Sequence, residues 1–235
     1  MWEVVPTFLF KIWQKKKDLI FMLMKVVIFL HIQMIILCIL LLSWWLILKI
    51  NNKQIKRFND YLNELFGGNH FVHVGNLVRA EKPYELLKRE DRWKIFYVLY
   101  LFAMYAKYKL FTVSIIKTDS KEDTLLQLAK SIVLEIETHF KYLRSYKLVL
   151  HYDFGQTPLA GIISSVFVAK FSDCEIIKTF QQETPFMQLA DFYSYFELLK
   201  YKINKGYLSN SERKFFGDIR TLKKKYLKTI AKKYI

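Results

Sequence analysis

Apolar positions along the chain follow two unlike patterns. From Val26 to Leu48 there is no charged side chain, and the run VVIFLHIQMIILCILLLSWWLIL is long enough to cross a hydrocarbon core of ~30 Å as a helix. From Asn51 onward the apolar residues are periodic and punctuated by turn signals. Ile55, Phe58, Leu62 and Leu65 recur at helical spacing up to Phe66, and Gly67-Gly68 suits the turn that ends such a helix. FVHVGN, residues 71–76, reads as a short strand. Glu90 to Tyr105 reads as a long helix with Trp93, Phe96, Leu99, Tyr100 and Ala103 on its buried face.

β-branched and aromatic residues then make Tyr108 to Ile116 a strand. Ser120 to Asp123 has the form of a capping box that opens a helix running to about Leu143. KLVLHY, from Lys147 to Tyr152, is a short apolar strand of the kind buried on both faces, and Glu175 to Phe180 is another strand. Thr157-Pro158 and Thr184-Pro185 each set a capping hydroxyl before a proline at the first helical position, which starts two further helices. Ser209 to Glu212 is a second capping box, followed by a basic tail in which Phe216, Ile219, Leu222, Tyr226 and Ile230 form an apolar stripe. This alternation implies an α/β sandwich with a mostly parallel sheet in the second half of the chain.

Length and composition refine the picture. A chain of 235 residues, with no internal repeat and no Gly-, Pro- or Ser-rich linker after residue 50, holds one substantial core plus an extension. Cys38 and Cys174 lie far apart without CxxC or Cys/His spacing, so no disulfide framework or zinc site is signalled and a reducing, cytoplasmic setting fits. The formal charge of +16 makes a polyanion, nucleic acid or an anionic membrane surface, the default partner. Abundant Lys, Ile, Asn, Phe and Tyr with scarce Gly and Pro is also what an AT-rich gene produces. The membrane reading of residues 26–48 meets opposing signals. Lysines 15 to 17 and Lys25 on one side balance Lys49, Lys53, Lys56 and Arg57 on the other, so no orientation follows. His31 and Gln33 sit inside the run, and no small-residue cleavage site follows it.

Candidate chemistry gathers in the second half. Asp153 follows the KLVLHY strand at the carboxyl end, which in open α/β sheets faces the ligand crevice. Gln188, Asp191 and Tyr195 share one face of the helix opened by Thr184-Pro185. One carboxylate from a strand end and one from a late helix are hard oxygen ligands suited to holding Mg²⁺ or Mn²⁺ against a phosphate. The plainer alternatives are a turn residue before Gly155 and a half-buried carboxylate among Leu189, Ala190 and Phe192. Arg79 can grip a phosphate bidentately or pair with Glu81 or Glu85, and His73 can orient a phosphate or simply pack. Gln156 and Gln188 can position substrate or satisfy backbone groups. The tail, with nine basic residues against one acidic from Arg213 onward, is either a docked helix with a solvated lysine face or a nucleic-acid surface.

Four stretches, FVHVGNLVRAEKPYE, HYDFGQTPLAGII, PFMQLADFYSYFELLKYK and LSNSERKFFGDIRTLKKKYLK, together resemble the bacterial and phage family called domain of unknown function 3800, over roughly residues 47–235. The specific elements are Asp-x-Gly-Gln at Asp153 and Gln-x-Ala-Asp ending at Asp191. The resemblance implies a ribonuclease H-like three-layer α/β fold, with a central mixed sheet flanked by helices, and metal-dependent nuclease chemistry. It implies Asp153 and Asp191 as catalytic residues that bind Mg²⁺ or Mn²⁺, and it matches a family histidine to His73. His73, Arg79, Gln156 and Gln188 are the expected substrate-binding set, with nucleic acid the expected partner.

The family's first acidic residues come from an Asp-Glu-Ser-Gly strand near the amino terminus, which this chain lacks. With TTG at Leu23 and GTG at Val27, Phe21 to Phe29 is encoded by TTT ATG TTG ATG AAA GTG GTG ATT TTT. Read one nucleotide earlier, that string gives Tyr-Val-Asp-Glu-Ser-Gly-Asp-Phe. Residues 20–48 are therefore either an out-of-frame stretch that cost the chain a catalytic strand or a membrane anchor. The expected organisation is an apolar extension over 1–46 and a ribonuclease H-like domain over 47–235. The expected function is a nuclease-like protein impaired by loss of its first acidic strand. The alternative is a non-catalytic interaction protein, membrane-anchored or nucleic-acid-binding.

Overall fold

In a computed structural model of the chain, the described part of the charge-free run forms two antiparallel strands. The structure describes residues 19–29, 34–43, 54–67, 70–105, 108–116, 119–144, 147–153, 157–179 and 185–234. β1 (Leu19–Phe29) and β2 (Met34–Ser43) pair antiparallel, with Ile20 opposite Ser43 and Phe29 opposite Met34. The transmembrane-helix reading of residues 26–48 is thereby corrected, and among the described residues no helix is long and apolar enough to cross a membrane. The rest of that run, 30–33 and 44–48, lies outside the described residues. A strand buried on both faces is as continuously apolar as a membrane helix, so hydropathy alone does not separate them.

β3 (Lys109–Ile116) pairs antiparallel with β2, while β4 (Lys147–Asp153) pairs parallel with β1 and β5 (Cys174–Thr179) parallel with β4. The strand order is β3-β2-β1-β4-β5. The sheet is thus mixed, with the expected parallel half at β1, β4 and β5. Strands drawn from before residue 47 fill its middle.

Three helices, α1 (Gln54–Phe66), α2 (Val74–Arg79) and α3 (Arg89–Tyr105), separate β2 from β3 in sequence. α4 (Lys121–Thr138) and α5 (Phe140–Leu143) follow β3, and α6 (Thr157–Lys170) joins β4 to β5. α7 (Pro185–Lys205) and α8 (Asn210–Phe216) come after β5. The tail consists of α9 (Ile219–Thr221), a π-helical stretch (Leu222–Leu227), α10 (Lys228–Ile230) and a 3-10 turn (Ala231–Lys233). The strand expected over residues 71–76 is corrected: residues 70–73 are non-helical and α2 begins at Val74.

Successive residues of β3 point to opposite faces, as strand geometry requires. Leu110 joins a buried cluster with α1, α2, α3, α7, α8 and the tail. Phe111, Val113 and Ile115 join another with Leu128, Ile132 and Ile136 of α4 and Ile163 and Phe167 of α6. α7 lies along β1 and β2, and α4 lies along β3. Both faces of the sheet are therefore covered by helices.

Caps fix the helix starts. Ser120 Oγ accepts from Asp123 N at 3.2 Å to open α4. At α8, Ser209 Oγ accepts from Glu212 N at 3.2 Å and Glu212 Oε2 accepts from Ser209 N at 2.7 Å, a complete capping box. In the tail Leu222, Tyr226 and Ile230 are buried at four-residue steps. The tail ends against the sheet edge, where Tyr234 bridges Leu110 and Lys233 Nζ donates to Met104 O at 2.9 Å.

Candidate functional site

α7 carries the polar groups around which the site is built. Its buried face is mostly apolar, yet Gln188 and Asp191, three residues apart, are buried with it at 5% and 8% exposure. A buried polar side chain needs a partner, and here the partners are main-chain amides just before α2 and at its first residue. Gln188 Oε1 accepts from Val72 N at 3.0 Å, and Asp191 Oδ2 accepts from Val74 N at 3.1 Å. Val72 and Val74 are two apart, so the amides that an extended segment would offer to a neighbouring strand go instead to one helical face. This is the physical reason residues 71–76 look like a strand in sequence and are not one.

Between those two amides His73 turns outward. Its side chain is 45% exposed, and Nδ1 lies 3.9 Å from Asp191 Oδ1, too far for a hydrogen bond but within reach of a charge pairing when the ring is protonated. His70 Nε2 and Tyr84 Oη are 2.8 Å apart. Burial, with the nearby His73 adding to it, holds the His70 pKa below the usual imidazole range. Burial raises the Tyr84 phenol well above its ordinary value; a hydrogen bond from the His73 backbone opposes the shift and the Asp191 charge adds to it.

Arg79 ends α2 and is committed locally. Its Nε donates to Glu81 Oε1 at 2.6 Å and its Nη2 to Glu81 Oε2 at 2.8 Å, a bidentate pair. That hydrogen bonding holds the Glu81 carboxyl below its usual range. The guanidinium lies over Gly75, where an added Cβ would come within 3.1 Å of Nη1. Ala80 follows in the left-handed region at φ 59°, which turns the chain out of α2. Arg92 Nη1 from α3 closes the helix end, donating to Leu77 O at 2.7 Å and Val78 O at 3.0 Å.

Of the residues singled out from sequence, His73, Gln188 and Asp191 come together, and Arg79 lies one short helix away, paired with Glu81. Asp153 ends β4, level with Thr179 of β5. Its side chain, and all of Gln156, fall outside the described part of the structure. β1 runs beside β4 with Met24 level with Tyr152, so the next position, Lys25, adjoins Asp153 by register. Among the described residues no three His, Cys, Asp or Glu side chains converge on one point.

A second polar knot on α7 has no counterpart in the sequence reading. Lys202 Nζ donates to Glu212 Oε1 at 2.6 Å, and Tyr195 Oη donates to the same oxygen at 3.3 Å. The Glu212 side chain is fully buried. Burial pushes its pKa up, but the Lys202 hydrogen bond and the Ser209 amide outweigh that and hold it below the ordinary carboxylate range. Burial, with the Glu212 charge adding to it, raises the Tyr195 phenol. The capping box at Ser209 revealed Glu212 as a cap, but nothing in the spacing marked Lys202 as its partner.

No protein-family profile matches the chain, and no curated protein matches it. A chain in the solved structure of the PCNA:RNase HII complex from Archaeoglobus fulgidus aligns over 92% of this chain and 89% of its own, with 11% identity and a TM-score of 0.31. A TM-score of that size does not establish a common fold.

Proposed function

We propose that the chain is a ribonuclease H-like protein of three-layer architecture, of the domain of unknown function 3800 kind, that has lost metal-dependent cleavage of nucleic acid. The observation that carries this reading is the register of the central pair of strands. The resemblance expects carboxylates on the first strand, and the shifted reading frame would set Asp and Glu at the positions now held by Met24 and Lys25. Those positions lie beside Tyr152 and Asp153 at the carboxyl end of β4. A thioether and an ammonium there do not fit a hard divalent cation, which needs oxygen ligands. Asp191, the other expected ligand, spends one oxygen on Val74 N and turns the other toward His73. The residues present therefore do not fit the metal, and no catalytic step is assigned to it.

The mixed sheet with helices on both faces supports the fold part of the reading, and the cysteine pattern supports a reducing compartment. The test is cleavage of single- and double-stranded oligonucleotides by the purified full chain with Mg²⁺ or Mn²⁺. The reading expects no cleavage above a protein-free blank. It expects cleavage to appear on combining Met24→Asp with Lys25→Glu, and to vanish again when Asp153→Asn is added. Cleavage by the unaltered chain that Asp153→Asn abolishes would overturn it. Sequencing the gene supplies an independent check, because a Leu23 codon that does not end in G removes the aspartate from the shifted frame.

A further inference from the structure

The tail crosses α3 and leaves a surface that the proposed function does not use. Leu222, Tyr226 and Ile230 face the core, so residues two positions on from each point away from it. Those residues are Lys224, Lys228 and Lys232, all exposed. They stand roughly one turn, about 6 Å, apart along the tail. Among the described residues no carboxylate pairs with any of the three. The single acidic residue of the tail, Asp218, is engaged at the start of α9, accepting from Thr221 N at 2.7 Å. From Arg213 to the end there are nine basic residues against that one carboxylate. Such a ridge repels itself unless a polyanion or solvent neutralises it.

Beside the ridge lies a run of stacked aromatic rings on α3. Trp93 and Tyr97 stack at 4.9 Å between centroids with their planes 17° apart, and Tyr97 continues to Tyr100 at 6.3 Å and 23°. Tyr97 is 38% exposed. Lys225 ties the rings to the ridge: its Nζ sits 5.5 Å from the Trp93 ring centre, and its carbonyl accepts from Tyr100 Oη at 3.4 Å. The acidic neighbours on α3 are Glu90 and Asp91, and Asp91 is occupied by Lys94 at 3.0 Å.

Regularly spaced cations beside a partly exposed aromatic pair are the two components of a site for unpaired nucleic acid. Lysines track the phosphates, and any base can stack on a ring whatever its identity. A duplex hides its base faces and would use the lysines alone. An acidic peptide would likewise have no use for the rings. We propose that the outer surface of α3 and the tail binds single-stranded nucleic acid, with phosphates along Lys224, Lys228 and Lys232 and a base against the Tyr97–Trp93 pair. The inference rests on the preceding reading only for the choice of polymer, and it involves no residue of β4 and neither Gln188 nor Asp191.

The test is fluorescence anisotropy of a labelled oligothymidylate titrated with the full chain over a range of salt, with circular dichroism confirming that each variant is folded. Lys224→Gln, Lys228→Gln and Lys232→Gln together should weaken binding more than tenfold. They should also make the salt dependence shallower by about 2, at ~0.7 for each phosphate that a lysine no longer neutralises. Tyr97→Ala should weaken binding about tenfold with the salt dependence unchanged. Lys170→Gln, on α6 and outside both the tail and α3, should bind like the unaltered chain, and because binding and not cleavage is read, a failed cleavage reading leaves this result untouched. No binding, a triple variant that binds normally, or a Tyr97→Ala chain that binds normally would each overturn the proposal. Polyglutamate or duplex competing as well as the single strand would also overturn it, and would mark the ridge as a general polyanion surface.

Discussion

On the α4 and α6 side of the sheet the buried side chains are mainly aliphatic, among them Leu128, Ile132, Ile136, Leu148, Leu150 and Ile163. On the α7 side Phe96 alone lies within 6.2 Å, centroid to centroid, of Tyr100, Phe192, Phe196, Phe215, Phe216 and Tyr226. The same side buries Gln188, Asp191, Ser194, Lys202 and Glu212, whereas Thr124 is the one buried polar residue among the described residues of α4 and α6. Aliphatic packing is non-directional and tolerates rearrangement at constant volume. Buried polar groups demand particular partners. The α7 side therefore fixes where the segment around His73 docks, while the other side supplies bulk burial.

The largest expected effect comes from removing the hub of the aromatic side. Phe96→Ala should cost about 3–5 kcal/mol in denaturant unfolding, against about 0.5–1.5 for Ile132→Val on the aliphatic side. Equal losses would erase the contrast. Next comes Glu212→Gln, which leaves Lys202 without its counter-charge in a side chain only 11% exposed. Truncating one partner of a buried pair costs about 3–5 kcal/mol, and keeping the shape with glutamine should place the loss near the lower end. The same pair gives a pH dependence. The folded pKa of Glu212 is depressed, so its contribution is present above the unfolded glutamate value near ~4.3 and is lost as pH falls through the folded value. Acid unfolding curves of the unaltered chain and Glu212→Gln should therefore converge toward low pH.

Smaller effects probe the docking of residues 72–74. Asp191→Ala, and separately Gln188→Ala, should each cost about 1–3 kcal/mol, because each leaves a buried amide unsatisfied. Amide exchange at Val74 should quicken in the first variant and at Val72 in the second. Smallest is Glu81→Ala, which frees Arg79 from a half-exposed pair and should cost at most about 1 kcal/mol. A large loss there would move the structural weight from α7 to α2.

Much of this fold was legible because local chemistry and tertiary structure agree. Helices begin at Thr157 and Pro185, within one residue of the expected starts, Ser209 and Glu212 form the expected capping box, and of the expected stripe Phe216, Leu222, Tyr226 and Ile230 are buried while Ile219 is half-buried. The failures occur where a distant partner decides. Residues 71–76 carry strand-like alternation, but the groups that satisfy their amides lie 116 and 117 positions away on a helix. The antiparallel pairing of β1 and β2 was hidden because the Leu-His-Ile-Gln sequence between them contains no glycine, proline, asparagine or aspartate, the residues that signal a break between strands. Of the candidate site, the helical face shared by Gln188 and Asp191 was readable from spacing. Their use as docking groups was not, since nothing in the sequence pairs them with Val72 and Val74.

Thermal unfolding of the full chain across a Mn²⁺ titration, run in parallel with Asp153→Asn, tests most directly the claim that the carboxylates of this protein do not form a metal centre. A ligand that binds only the folded state raises its stability by RT ln(1 + L/Kd), where L is the free ligand concentration, so the midpoint climbs as ligand is added. The account predicts that Mn²⁺ shifts the two midpoints equally; a rise in the unaltered chain that Asp153→Asn removes would contradict it.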